Sequence, residues 1–238
     1  MQLVTVSGSP SVGKTSVILR AAERLRGMGV AAGVAKFDSL STSDDRLFEA
    51  RGFPVAAGLS GALCPDHYFV SNIGDCFAWG RRQGLDLLLS ESAGLCNRCS
   101  PHIDGALAVC VVDALAGVHT PRKIGPMLRL ADCVVITKGD IVSQVEREVF
   151  AHHVRLANPG ARALFMNGIT GQGADALAGI FRAAADLDGL DGRRLRFPMP
   201  AAVCPYCVGE TAIGEKHQRG NVKKMRFADL ADAAGSLA

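Results

Sequence analysis

Residues 2–29 read QLVTVSGSPSVGKTSVILRAAERLRGMG. QLVTVSG (2–8) is a short apolar run of the kind that forms a buried strand. Gly8-Ser9-Pro10-Ser11-Val12-Gly13-Lys14-Thr15 then matches GxxxxGK[ST] at every fixed position. SVILRAAERLRGMG (16–29) follows with apolar residues at helical spacing and stops at Gly27 or Gly29. Strand, glycine-rich loop and helix in this order form a phosphate cradle. Glycines let backbone N–H groups turn inward, and the helix contributes its positive end. The residues from Gly8 to Ser16 are therefore candidate nucleotide ligands. Lys14 is placed to reach the β- and γ-phosphates, and the Thr15 hydroxyl to hold Mg²⁺.

Outward from this loop, apolar runs and amphipathic stretches alternate. VAAGVAKFD (30–38) reads as a strand and TSDDRLFEARG (42–52) as a helix with Thr42 as N-cap. GLDLLLSE (84–91) and GALAVCVVDA (105–114) are almost continuously apolar, as strands covered on both faces are. A strand at 132–138, a helix at 143–157, a strand at 161–167 and a helix at 173–187 complete the series. The expectation is an α/β fold: a three-layer P-loop NTPase with a mostly parallel sheet. After residue 187 the periodicity fades into a Gly-, Cys- and Lys/Arg-containing stretch. Residues 1–187 are thus expected to be the nucleotide-hydrolysing domain, and 188–238 an irregular basic extension packed on or near it.

The 238 residues carry a net charge of +3, too small to point to nucleic acid. No apolar run approaches the roughly 20 residues of a membrane span. MQLVTVSGSP lacks the basic and long apolar stretches of a secretion signal, so the cytoplasm is the expected location.

Two further segments bear on the nucleotide. Thr137-Lys138-Gly139-Asp140 ends a strand, and a carboxylate there accepts two hydrogen bonds from guanine that adenine cannot give. Asp140 therefore favours GTP, with the Lys138 stem covering the base. The loop beginning Asn167-Gly168 is placed to close over it. Glu91-Ser-Ala-Gly94 ends the run LDLLLSE at the sheet edge where ligands bind in such folds.

With these motifs together, the chain resembles the P-loop GTPases that mature metalloenzymes. These are the urease accessory GTPase and the hydrogenase nickel-insertion GTPase, of the signal-recognition and MinD class. The resemblance covers residues 1–187. Glu91 and Gly94 match its ExxG, Asp38 and Asp44 its first-switch aspartates, and TKGD its NKxD with Thr137 in place of Asn. It implies that Asp38 acts on Mg²⁺ or the attacking water, and that Glu91 senses the γ-phosphate. Mg²⁺ would be held among Thr15, Asp38, Asp44 and Glu91, with Lys14, Asp38 and Glu91 as the catalytic set. Gly94 would admit the backbone to the phosphate. Cys64-Pro65-Asp66-His67 resembles the Cys-Pro-His that binds Ni²⁺ or Zn²⁺ across a dimer axis in the urease branch, with an Asp inserted.

Eight cysteines occur, and in a cytosolic chain they do not imply a disulfide framework. Cys110 and Cys133 lie inside apolar strands and read as core residues. Cys96-x-x-Cys99 and Cys204-x-x-Cys207 are two chelating pairs. Four thiolates suit structural Zn²⁺ or an iron–sulfur cluster, and either pair alone suits a redox dithiol. The metal-ligand candidates are Cys64, His67, Cys96, Cys99, Cys204 and Cys207.

The expectation that follows is a GTPase, slow without a partner, that couples GTP or GDP binding to metal held by Cys and His. It would act as a homodimer and deliver metal to a client metalloenzyme or its maturation factors. The alternative is a nucleotide-driven iron–sulfur protein resembling nitrogenase iron protein. That family carries a lysine near the start of its P-loop, which GSPSVGKT lacks.

Overall fold

The computed structural model describes residues 1–40, 44–197 and 209–227. The elements are β1 (Gln2–Ser7), α1 (Lys14–Gly27), β2 (Ala32–Asp38), α2 (Asp44–Glu49), β3 (Val55–Leu59), α3 (Pro65–Arg82), β4 (Leu87–Glu91), β5 (Leu107–Asp113), α4 (Pro126–Arg129), β6 (Cys133–Thr137), α5 (Gln144–Ala157), β7 (Arg162–Phe165) and α6 (Ala174–Arg182). Among the described residues, seven strands form one sheet in the order β3-β2-β4-β1-β5-β6-β7. Every neighbouring pair is parallel, so the expected mostly parallel sheet is wholly so.

Parallel strands need crossovers, and the crossovers cover both faces. On one face α1 and α6 bury Ile18, Leu25, Leu177 and Phe181 against Val4, Val6, Leu87 and Leu89. The other face holds two clusters. One places Phe69, Ile73 and Phe77 of α3 over Leu3, Phe37 and Leu88. The second gathers Met127, Leu128, Phe150 and Val154 over Cys110, Val112 and Val134. Each of these large side chains contributes roughly 1.5–3 kcal/mol by leaving water.

β3 and α3 have no counterpart in the sequence reading. VAAGL is a weak edge strand, and α3 carries Gly74, Gly80, Ser71 and Asn72, all poor helix formers. Packing of its apolar side against the sheet overrides that propensity. The later segment lies along this helix. Leu187, Leu190, Leu195 and Ile213 join the α3 cluster, and Met225 packs against it. Asn72 Nδ2 donates to Lys223 O at 2.8 Å, and Met225 N donates to Asn72 Oδ1 at 2.7 Å. An isolated antiparallel bridge between Ile103 and Leu195 ties the same segment down, and one between Arg194 and Ala212 folds it on itself. Among the described residues no helix is long and apolar enough to cross a membrane.

Cys110 and Cys133 are fully or almost fully buried, as their apolar surroundings led us to expect. Burial pushes each thiol up to about 12, which leaves them inert as nucleophiles.

Candidate nucleotide and metal site

The C-terminal edge of the sheet brings Gly8, Asp38, Glu91, Asp113 and Thr137 to one side, because β1, β2, β4, β5 and β6 all end there. Gly8 has φ +144°, and a Cβ on it would fall 2.2 Å from the Val111 carbonyl oxygen. Gly13 caps α1 in the left-handed region at φ +92°. Both positions demand glycine on steric grounds. The cradle opens onto a cavity of about 350 Å³ lined by Lys14, Thr15, Lys36, Asp38, Asp44 and Glu91 among others.

Lys14 is buried and donates to the carbonyls of Gly8 and Ser9, each at 3.0 Å, and to that of Ala93 at 3.4 Å. Burial lowers its pKa, opposed by Glu91 and reinforced by Lys36. Thr15 Oγ1 lies 3.0 Å from Asp44 Oδ2 and within 3.2 Å of both Glu91 oxygens. Its single proton serves one of them at a time. Thr15, Asp44 and Glu91 form an all-oxygen donor set, which suits Mg²⁺. Asp38 stands at the rim, and its Oδ1 accepts from the Ser39 N–H at 2.8 Å.

Lys36, which sequence reasoning passed over, reaches into the same hollow. Its Nζ lies 2.7 Å from Glu91 Oε1 and 2.7 Å from Asp44 Oδ2. Burial works against its charge, yet the two carboxylates outweigh burial and raise its pKa. The Asp44 carboxyl is held below its ordinary value: burial opposes the shift, and the Lys36 hydrogen bond overcomes it.

On the other side of the cradle, Thr137 Oγ1 donates to Val12 O at 2.7 Å and Lys138 Nζ donates to Ser11 O at 2.9 Å. The TKGD segment is thereby tied to the phosphate loop, with Lys138 at φ +57° and paired with Asp113. Thr137 points to the loop backbone rather than outward. Asp140 and Asn167 line a second hollow of about 330 Å³, together with Arg147 and Phe165. Asn167 Oδ1 accepts from the N–H groups of Ile169 and Thr170, which shapes the loop. Gly168 lies against Ser16, where a Cβ would come within 2.8 Å of the serine Cβ.

Past Glu91 the chain turns at Gly94 and reaches Cys96 and Cys99. Among the described residues, Asp66, Cys96 and Cys99 offer ligand atoms all within 4.8 Å of one another. Asp66 sits in the first turn of α3 with both carboxylate oxygens buried and no hydrogen-bond partner among the described residues. Burial pushes it up to about 7, against the pull of the Lys14 charge. Cys64 is the N-cap of α3 and packs in the same cluster as Cys96. His67 Nε2 lies 2.6 Å from Glu210 Oε2, and both side chains are buried. Asp66, between Pro65 and His67, has its carboxylate beside the Cys96 and Cys99 thiols. Cys204 and Cys207 lie outside the described residues.

Residues 2–165 match the model of the CobW/HypB/UreG nucleotide-binding domain. The chain belongs to this family. A CobW/HypB/UreG assignment accords with the geometry: phosphate loop, acidic hollow and TKGD all lie at the C-terminal edge of the sheet. The chain is 43% identical over 225 residues to "Uncharacterized protein MJ0120" of Methanocaldococcus jannaschii, spanning 94% of this chain and 96% of that one. It is similar to the hydrogenase maturation factor HypB of Archaeoglobus fulgidus, with a TM-score of 0.60 and 25% identity over 76% of this chain and 89% of that one. HypB from Helicobacter pylori, solved in complex with nickel, has a TM-score of 0.61 at 18% identity over 76% of this chain and 85% of that one, which speaks for the fold. The expected P-loop GTPase metallochaperone family is therefore the right one.

Lys36, Asp66 and Glu210 are the site residues that motif reading missed. A lysine inside the apolar run VAAGVAKFD was the available signal. In a strand covered on both faces a lysine requires a carboxylate, and Lys36 shares the face of Asp38 two residues on.

Proposed function

We propose that this CobW/HypB/UreG-family chain is a GTP-hydrolysing metallochaperone in which nucleotide state controls a thiolate-containing metal site. One observation carries the reading. A single segment runs from Glu91, at the Mg²⁺ hollow, through Ala93, whose carbonyl accepts from Lys14, to Cys96 and Cys99 beside Asp66. A γ-phosphate that draws Lys14 away from the Ala93 carbonyl also releases the segment bearing the thiols. Coupling needs no longer path.

Lys14, Asp38 and Glu91 serve the hydrolysis, with Mg²⁺ on Thr15, Asp44 and Glu91, and Asp140 reads guanine. Two thiolates and a carboxylate form an open set for Zn²⁺ or Ni²⁺ as cargo. The exit of such a cargo to a client enzyme, and a second copy of the chain to complete the ligand shell, belong to the same proposal. Against the iron–sulfur alternative stand the P-loop, which lacks that family's lysine near its start, and the guanine-reading Asp140.

The decisive experiment is an anaerobic titration of Ni²⁺ and Zn²⁺ into the protein held in GDP or in a non-hydrolysable GTP analogue. The expected result is one thiolate-to-metal charge-transfer signal whose affinity differs between the two states. Identical affinities in both states would separate the metal site from the nucleotide and defeat the reading.

A further inference from the structure

The acidic hollow that suits Mg²⁺ already contains a cation of the protein's own. Lys36 Nζ lies 2.7 Å from Asp44 Oδ2, 2.7 Å from Glu91 Oε1, 3.4 Å from Thr15 Oγ1 and 3.9 Å from Asp38 Oδ2. Thr15, Asp44 and Glu91 are the side chains from which a divalent ion there would take its oxygens, with Asp38 at the rim. Lys36 is planted by the sheet: it stands in register opposite Glu91 on adjacent parallel strands. Only 6% of its side chain is exposed, so the ammonium is committed to this hollow rather than passing through it.

An ammonium is a compact point charge with three donors, and here it spends two of them on the two carboxylates. It neutralises part of the acidic cluster but supplies one charge where Mg²⁺ supplies two. Mg²⁺ demands near-octahedral oxygens at about 2.0–2.1 Å and gives up water reluctantly. A Mg²⁺ bound to Asp44 Oδ2 and Glu91 Oε1 would therefore sit beside an ammonium hydrogen-bonded to the same two atoms. Bound to the same two atoms, the two positive centres repel each other at close range. One of them must yield at least one carboxylate.

We propose that Lys36 is a placeholder for the Mg²⁺ of this site. It holds Asp44 and Glu91 together in the nucleotide-free protein and bars free Mg²⁺ from them. It gives up a carboxylate only when Mg²⁺ enters with a nucleotide, whose phosphates supply the negative charge that Lys36 then faces. Asp44 opens α2 and Glu91 closes β4, so the exchange of partners is felt at the start of that helix and at the end of that strand. This rests on reading the cleft as a Mg²⁺–nucleotide site. It adds that loading is ordered, with the metal arriving on the nucleotide rather than ahead of it.

The test follows Mn²⁺, as a paramagnetic substitute for Mg²⁺, by electron paramagnetic resonance in nucleotide-free protein. Lys36→Met should bind Mn²⁺ about tenfold or more tighter than wild type, because the competing charge is gone. Equal affinities, or tight Mn²⁺ uptake by the nucleotide-free wild type that Glu91→Gln abolishes, overturn the proposal. The wild-type measurement stands even if Lys36→Met fails to fold, and Lys36→Gln offers a second neutral variant with hydrogen-bonding ability. Adding GDP should let wild type take up Mn²⁺. If wild type binds no guanine nucleotide at all, the GTPase reading fails, while the nucleotide-free comparison still decides the role of Lys36.

Discussion

Gly94 presses against Gly8 so closely that a Cβ on Gly94 would fall 1.8 Å from the Gly8 carbonyl oxygen. The two backbones belong to different crossovers, one before α1 and one after β4. Their contact is what joins the phosphate loop to the segment carrying the thiols. Gly94 also has φ +71°, which a side chain resists.

Gly94→Ala is therefore expected to push the 92–99 segment off the phosphate loop. The protein should lose about 1 kcal/mol or more of stability from backbone strain alone. More tellingly, the nucleotide dependence of metal binding should vanish while a metal still binds to the thiols. Calorimetric titration of metal in the GDP and GTP-analogue states reads this directly. A variant that keeps the full nucleotide effect would show that coupling does not pass through Gly94.

Asp140 is expected to choose the base. It lies exposed in the hollow shared with Asn167, Arg147 and Phe165. A carboxylate accepting two N–H bonds from guanine contributes roughly 1.5–3 kcal/mol per bond. Asp140→Asn should weaken GTP binding by about tenfold or more and leave ATP binding nearly unchanged. Fluorescent-nucleotide competition measures both. Equal losses for GTP and ATP would mean that Asp140 supports the loop rather than reads the base.

His67 and Glu210 form a buried contact, and its disruption separates two accounts of the histidine. If His67 serves to hold the later segment onto α3, His67→Ala should cost about 3 kcal/mol or more. It should also speed proteolysis after residue 187 and leave metal stoichiometry intact. If His67 is a metal ligand, as the Cys-Pro-His resemblance implies, stoichiometry should fall with little change in melting temperature. The 2.6 Å contact favours the first outcome.

The contrast between legible and illegible residues follows from distance along the chain. Lys14, Thr15 and Asp140 belong to short motifs whose geometry is local, so their spacing alone announces them. Glu91 was legible because a carboxylate closing an apolar run has few other uses. Lys36 required the register of β2 against β4, and no spacing rule encodes which strands become neighbours. Asp66 and Glu210 needed more still. Neighbouring residues on a helix point about 100° apart, so Asp66 and His67 meet different partners. Glu210 then met His67 from 143 positions away. β3 and α3 were invisible because their residues have weak propensity and form only on a sheet already present.

Asp66 yields a prediction whose sign can be worked out. Burial raises its pKa from 3.8 to about 7, so the folded apo protein holds a proton there that the unfolded chain releases near pH 4. Between those values the native state binds more protons than the unfolded one, and stability falls as pH rises. Below about pH 4 this group costs nothing. Above about pH 7 the full penalty, at most about 4 kcal/mol, is present. Asp66→Asn cannot ionise, so in a chelator it should melt higher than wild type at pH 8 and equally at the acid end of the range. Its metal affinity should fall, because the carboxylate that burial penalises is the one facing Cys96 and Cys99. For wild type, affinity should climb as pH rises through about 7, because below that value the ion must displace a proton from Asp66 to solvent. Thermal melts from pH 5 to pH 8, with and without Zn²⁺, follow both trends at once. If Asp66→Asn is less stable than wild type at pH 8 in chelator, the buried carboxylate is held by a partner in the folded chain. Gain in apo stability together with loss of metal is the signature of a residue kept for binding at the expense of the fold.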